Sequence, residues 1–158
     1  RQAINDGALN AGRVIHLIPT QSDQALTLRS WLERLQITLP EKLSQALEPK
    51  FLLGRYDDRD QPTVFLLLKT SDYEGAFTML RQAEQELVPL FYLLTGRTSF
   101  SSSITTPAFI NQLRNNLETR RLIKDGQTIL LYAFLDQTTI ALTENENTLS
   151  EILNRRTN

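Results

Sequence analysis

Three aspartates in the segment DDRD, residues 57–60, form the densest group of side chains that could do chemistry. Asp57, Asp58 and Asp60 offer the oxygen ligands that Ca²⁺ or Mg²⁺ prefers, or the carboxylates of a hydrolase. Their spacing does not match a calcium loop, and Arg59 lies among them. A solvated hairpin turn has the same composition. We therefore predict no metal, and keep the three aspartates as the candidates if one binds.

The rest of the sequence excludes several common chemistries. His16 is the single histidine and no cysteine occurs, so a zinc site of several histidines or thiolates and a thiol nucleophile are excluded. No serine lies in a G-x-S-x-G elbow, and no glycine-rich phosphate loop is present. The sequence therefore predicts no catalytic residue and no cofactor, and it favours a non-catalytic protein.

Charge and composition are those of an ordinary globular domain. Of the 158 residues, 17 are basic and 18 are acidic, which leaves a net charge of −1. A near-neutral chain lacks the positive field that gathers phosphate backbones, so we predict no nucleic-acid partner. The basic residues Arg114, Arg120, Arg121 and Lys124 are typical of helix ends or strand edges. The length fits one domain over residues 1–158.

These side chains must be positioned by the elements that the hydrophobic pattern predicts. Strands are expected at residues 13–18, 51–58, 62–70, 121–124, 128–135 and 139–143, with a tight turn at Asp125-Gly126. Helices are expected at residues 27–36, 41–48, 72–94, 107–118 and 148–156. The fold class is then α+β, a mostly antiparallel sheet of five or six strands with helices packed on it. The segment TILLYAFL, residues 128–135, is apolar on both faces and is predicted to be the central strand.

Two segments of the chain resemble each other. FLLGRYDD at 51–58 and ILLYAFLD at 129–136 each lead through a turn to a second strand and then to a polar helix start. One hypothesis is a duplicated helix–strand–strand–helix unit, with halves 13–97 and 104–158 joined by a Ser/Thr-rich connector at 98–106. The other is that two hairpins look alike through composition alone.

The segment LVPLFYLL at 87–94 is the strongest sequence candidate for a binding surface. Its eight residues carry no charge, which exceeds the apolar face that one amphipathic helix needs. Pro89 should kink or end the helix here. Either the segment is buried all round, or it offers a patch to a partner through Leu90, Phe91 and Tyr92.

Over residues 13–156 the chain resembles a known group of proteins. The similarity is carried by FLLGRYDD, PTVFLLLKT and SDYEGAFTMLRQAE, and then by FINQLRNNLE, the strands that follow it and the closing ENTLSEILNR. These segments are similar to the extracytoplasmic region of single-pass membrane proteins found in small-genome bacteria of the candidate phyla. The resemblance implies a location outside the cytoplasmic membrane, behind an N-terminal anchor that this chain, beginning at Arg1, does not include. It implies no activity and no functional residue.

These observations favour a non-catalytic, envelope-facing domain of a membrane-anchored protein that mediates protein–protein interaction or assembly. The partner is another protein or a second copy, and the membrane is contacted only through the anchor. Two alternatives stay open: a small-ligand-binding domain with a cleft beside residues 98–106, and a hydrolase that uses the carboxylates at 57–60. A cytoplasmic location is the alternative to the extracytoplasmic one.

Overall fold

The computed structural model describes residues 12–58, 61–96, 108–114 and 116–156. In this part of the chain the fold is α+β, with a seven-stranded antiparallel sheet, a separate two-stranded ribbon and five helices. The strands are β1 (Arg13–Leu17), β2 (Thr20–Gln21), β3 (Gln24–Ala25), β4 (Leu47–Asp58), β5 (Gln61–Thr70), β6 (Ala108–Arg114), β7 (Leu117–Lys124), β8 (Gln127–Asp136) and β9 (Thr139–Thr143). The helices are α1 (Leu28–Arg34), α2 (Glu41–Ala46), α3 (Tyr73–Gln82), α4 (Glu84–Thr95) and α5 (Glu146–Arg156).

The main sheet runs in the spatial order β1-β4-β5-β9-β8-β7-β6. Strand β9 lies at its centre and is buried at all five positions. TILLYAFL forms most of β8, an interior strand beside the centre, so its prediction as the central strand is off by one place. Over the described residues, the two edges of the sheet are β1 and β6.

Helices cover both faces of the sheet. The register brings Leu53, Leu66, Leu142 and Tyr132 into one row across β4, β5, β9 and β8, and this row packs in the main core with α1 to α4. We call this side the helix face. A smaller core on the opposite side, the α5 face, is formed by Leu131, Ala133 and Ala141 with Leu149 of α5, and by leucines around them. Burial on both faces explains why β8 does not alternate between apolar and polar residues.

A close approach between two strands requires a glycine in β4. Gly54 lies opposite Phe65 of β5, whose ring covers it. A Cβ on Gly54 would fall within 2.7 Å of three carbons of that ring. The pair lies on the α5 face, and Phe65 is buried there.

Several predicted elements are confirmed. Strand β1, the β4–β5 hairpin and the β7–β8–β9 meander lie where the pattern placed them. Asp125 and Gly126 both have positive φ, 51° and 75°, as the tight turn between β7 and β8 requires. Thr27 caps α1 by accepting a hydrogen bond from the backbone N–H of Ser30.

The predicted helix at 107–118 is wrong, because the chain forms β6 and the start of β7 there. Phe109, Ile110, Leu113 and Leu117 fit one face of a helix by spacing. In the strands, Phe109 and Leu113 lie on the helix face, whereas Ile110 and Leu117 lie on the α5 face. Pairing with β7 overrides the local preference, and the sheet gains a strand beyond the five or six that we expected.

The second half of the chain does not repeat the first. Two strands, β6 and β7, stand where the helix–strand–strand–helix hypothesis requires a helix. The helix after the second hairpin, α5, packs on the face opposite to α3. The proposed connector at 98–106 lies outside the described residues. The helix predicted at 72–94 is interrupted at Ala83, between α3 and α4, and Pro89 lies inside α4.

Candidate functional site

Exposed apolar side chains concentrate at the edges of the sheet. Five large apolar residues are exposed among the described residues, and four of them belong to the edges. Leu17 ends β1 and Ile18 follows it, whereas Ile110 and Leu113 lie in β6. Leu113 is the most exposed of the five, at 73%, and Ile110 is 47% exposed. We call β6 with its outward side chains the β6 edge, and treat it as the candidate site.

The β6 edge is held from the helix face through Asn111. The Asn111 amide oxygen accepts hydrogen bonds from Nη1 of Arg120, at 2.9 Å, and from Nη2 of Arg81, at 3.2 Å. Arg120 lies directly opposite Asn111 on β7, and Arg81 comes from the last turn of α3. Arg81 also donates to Oε1 of Glu118, at 2.5 Å. Two guanidinium groups therefore fix the middle of the edge strand.

Arg120 is in turn anchored to a buried carboxylate. Its Nε and Nη2 donate to the two carboxylate oxygens of Glu84, each at 2.6 Å. Glu84 begins α4 and is only 8% exposed, and Oε1 also accepts a hydrogen bond of 2.8 Å from the hydroxyl of Tyr132. This bidentate geometry is the strongest that an arginine and a carboxylate form. It connects the first turn of α4 to three strands of the sheet.

The same contacts shift two pKa values. The hydrogen bond and the charge of Glu84 raise the pKa of Arg120, against the opposing effect of burial. Burial, followed by the hydrogen bond to Glu84, raises the pKa of Tyr132 well above its usual range. Tyr132 therefore stays protonated and donates to Glu84. Arg120, Glu84 and Tyr132 thus form one continuous set of hydrogen bonds between α4 and the sheet.

A second arginine of β7 holds the β6 edge from the α5 face. Arg121 donates to the side chain of Gln112, and its Nε donates to the hydroxyl of Thr128 at 3.0 Å. Its Nη1 lies 2.9 Å from Oε1 of Glu146, in the first turn of α5. Arg114, at the end of β6, pairs with the same carboxylate. The polar side chains of β6 are thus held by partners on each face, while Ile110 and Leu113 are left exposed.

Of the three aspartates that were the metal candidates, only Asp57 has a described side chain. Asp57 is 5% exposed, and its Oδ1 accepts a hydrogen bond of 2.8 Å from Nε of Arg55. No group of three or more metal-ligating side chains occurs in the described residues. The side chain of Asp58, and all of Asp60, lie outside them. Asp57 is therefore buried beside Arg55 of its own strand, and the hydrolase hypothesis stays a prediction.

The structure describes two of the three side chains of the partner contact predicted in α4. Leu90 is 2% exposed and packs in the main core. Tyr92 is half-buried and packs against that core, and the side chain of Phe91 lies outside the described residues. Leu90 is therefore occupied within the domain. Contact with a partner through this segment stays a prediction.

Two adjoining clefts lie between α1 and α2. Their volumes are about 360 and 390 Å³, and both are lined by Leu32, Leu39 and Ser44. Thr27 and Pro49 line the first, and Glu33 and Glu41 line the second. Residues 98–106, where a ligand cleft was expected, lie outside the described part of the chain.

Ile110 and Leu113 were missed as candidate site residues because the pattern placed them on one helical face. The signal that could have found them is the shortage of charge in AFINQLR, which holds one charged residue in seven. Arg120 and Arg121 were noted as basic residues, but their partners are distant in sequence. Glu84 lies 36 residues before Arg120, and no local pattern pairs the two.

Comparison with the models of known protein families, with curated proteins and with solved structures gave no match. The class is therefore the one that the fold and site define, an α+β domain whose seven-stranded sheet ends in an apolar edge strand. None of the described helices is both long and apolar enough to cross a bilayer.

Proposed function

We propose that this chain is a non-catalytic interaction domain that binds a protein partner by strand addition at the β6 edge. The observation that carries this proposal is the position of the exposed apolar side chains. Ile110 and Leu113 lie on opposite faces of the same edge strand. An edge strand also presents backbone N–H and C=O groups that can pair with another strand.

The composition of β6 supports the proposal. Natural sheets protect their edges with charged residues, prolines or bulges, because a flat apolar edge invites pairing. The only charged residue of β6 is Arg114 at its end, and that charge is paired with Glu146. The register of β6 with β7 runs without a shift over all seven residues. An edge of this kind is suited to accept a strand.

The site is also arranged for binding rather than for chemistry. Glu84 is bound by Arg120 and Tyr132, and Glu146 by Arg114 and Arg121. Groups that are held in this way position the strand and lower the entropy cost of binding.

Site-specific photocrosslinking tests the proposal in the native cell. A photoreactive amino acid at Leu113 or Ile110 should give crosslinks to a defined protein, whereas the same group at exposed Gln85 of α4 should not. Edge crosslinks no more abundant than those from Gln85 would refute binding at the β6 edge. The mass of the crosslinked species distinguishes a second copy from a different protein.

The extracytoplasmic location and the membrane anchor are the part of the proposal that the resemblance supports. A topology reporter fused to the C-terminus of the full-length gene product tests it. Activity of a periplasmic or surface reporter is the expected result. Activity of a cytoplasmic reporter alone would favour the alternative location.

A small-ligand-binding function is the second candidate, and the clefts between α1 and α2 favour it. Their volumes fall in the range of about 300 to 1,000 Å³ that is common for ligand sites. Leu32 and Leu39 supply apolar contact, and Ser44 supplies a hydroxyl. A ligand would raise the melting temperature in a thermal-shift screen, and Ser44→Trp, which fills the cleft, should remove that shift. A hit unaffected by Ser44→Trp would count against this site.

A further inference from the structure

We propose that the occupant of the β6 edge is a second copy of this chain, whose β6 pairs antiparallel with the first across a twofold axis at Asn111. The two seven-stranded sheets then join into one continuous sheet. This inference rests on the proposed function, since it names the partner for that edge. Its support comes from the faces, the register and the charges of β6.

The two exposed large apolar residues of β6 require an occupant that reaches both faces. Ile110 lies on the α5 face and Leu113 on the helix face. A helix or a lipid surface laid against one face would cover only one of them. A strand added at the edge places side chains on both faces, next to both residues.

The sequence of β6 is complementary to itself in one register. A twofold axis perpendicular to the sheet pairs only residues whose side chains share a face. With the axis at Asn111, Leu113 lies opposite Phe109 of the second copy, and Ile110 lies opposite Gln112. All seven residues of the strand are then paired, and the most exposed leucine meets an aromatic ring. Apolar side chains that lie directly opposite each other are close enough to bury apolar surface against one another.

Neighbouring registers are less favourable. An axis at Gln112 places Ile110 opposite Arg114, and an axis at Ile110 leaves Leu113 without an opposite residue. Both shorten the paired strand. The polar residues of β6 therefore favour the axis at Asn111, and the apolar residues favour the same axis.

Electrostatics permits this pairing. Arg114 is the only charged residue of β6 and lies at its end. In the antiparallel pair the two Arg114 side chains lie at opposite ends, about 20 Å apart along the strand. Each is neutralised by Glu146 of its own chain. Like charges therefore do not meet across the axis.

The other edge of the sheet is less suited to self-pairing. Strand β1 has five residues, and two of them, Arg13 and His16, are polar and exposed. An axis at Ile15 would place His16 opposite Val14. Pairing of β1 with β6 of another copy would lack a closing symmetry and give open chains instead of dimers.

Solution mass is the first test. A seven-residue strand pair belongs to the class of small interfaces, below about 1,200 Å², so association should be weak and is measured from about 1 µM to 1 mM. Sedimentation of the whole chain should show a monomer–dimer equilibrium. Ile110→Lys with Leu113→Lys should weaken it by about tenfold or more, because four cross-strand pairs are lost. The matched control, Leu17→Lys with Ile18→Lys at the β1 edge, should keep it.

Three results would overturn self-pairing at β6. One is a monomer at every concentration. Another is loss of the dimer in the β1-edge variant but not in the β6-edge variant, with both variants folded by circular dichroism. The third is a mass that grows beyond two copies, which shows open pairing of unlike edges.

Disulfide trapping tests the register. The chain has no cysteine, so Ile110→Cys and Gln112→Cys can each be the only thiol. Mixed and oxidised, the two variants should form the 110–112 disulfide in preference to either homodimer, because only directly opposite Cβ atoms lie within reach. Homodimer disulfides in excess would overturn the axis at Asn111.

Solution mass and crosslinking in cells together distinguish self-pairing from strand addition by a different protein. A monomer in solution, with Leu113 crosslinked to a different protein in cells, would remove self-pairing and keep strand addition at the β6 edge. Loss of both the dimer and the edge crosslinks would remove both.

Discussion

Replacing Arg120 by methionine should destabilise the domain strongly and loosen the β6 edge. The substitution keeps the length and apolar stem of the side chain but removes the guanidinium group. Among the described residues, the buried carboxylate of Glu84 then keeps the Tyr132 hydroxyl as its one partner, and Asn111 loses its shorter hydrogen bond. Breaking a buried ion pair on one side costs about 3 to 5 kcal/mol, since the remaining charge stays desolvated.

The loss in free energy of unfolding can be measured by unfolding in urea. For a chain of this size each 1 kcal/mol corresponds to about 2 to 4 °C in melting temperature, so the variant should melt roughly 10 °C lower. Hydrogen exchange should also quicken for the backbone amides of β6. A matched control is Arg29→Met, whose ion pair with Glu33 is exposed and should contribute no more than about 1 kcal/mol.

Removal of the remaining polar groups should restore stability. Replacing a buried ion pair by apolar residues of similar volume is often neutral or favourable. The triple variant Glu84→Leu, Arg120→Met, Tyr132→Phe should therefore be more stable than Arg120→Met alone. If Arg120→Met behaves like Arg29→Met, or if the triple variant is the least stable of the series, the Glu84–Arg120 ion pair does not anchor the β6 edge.

Gly54→Ala should cost about 1 to 3 kcal/mol in urea unfolding, because the new methyl group overlaps the Phe65 ring, and it should be neutral in a Phe65→Leu background. If it is equally costly there, the ring contact is not the cause. The raised pKa of Tyr132 means that the folded state keeps a proton that the unfolded chain loses near pH 10. The free energy of unfolding should thus fall as the pH rises above about 10, less steeply in Tyr132→Phe. Burial raises the pKa of Asp136, but hydrogen bonds from Arg156 and Thr138 lower it by a larger amount. The net result is a pKa well below the usual range of an aspartate. The contribution of Asp136 to stability is present above pH 3.8 and is lost as the pH falls. Asp136→Asn should therefore reduce the fall in the free energy of unfolding at acidic pH. An unchanged fall would contradict the lowered pKa of Asp136.

The long-range order of the sheet was only partly predictable. The β4–β5 hairpin and the β7–β8–β9 meander follow from local signals, such as the apolar runs and the Asp125-Gly126 turn. The pairing of β5 with β9, which makes β9 the central strand, depends on burial between distant segments. No short-range pattern encodes that pairing.

The polar contacts were the least predictable part of the site. Glu84, Arg120 and Tyr132 come from three elements, and each has an ordinary alternative role on a solvated surface. They meet only because α4 begins above β7 and β8. A pattern along the chain shows residue types and periods, whereas this network depends on packing in three dimensions.

The failed helix prediction at β6 bears on the proposed strand addition there. AFINQLR contains a single β-branched residue, and its apolar spacing suits a helix as well as a strand. Its strand conformation therefore depends on pairing with β7 and on the clamps from Arg120 and Arg121. An edge strand that weakly favours its own conformation gains most from a second strand on its open side. Local preference and final structure often disagree at functional positions, so their disagreement at β6 supports the proposed strand addition.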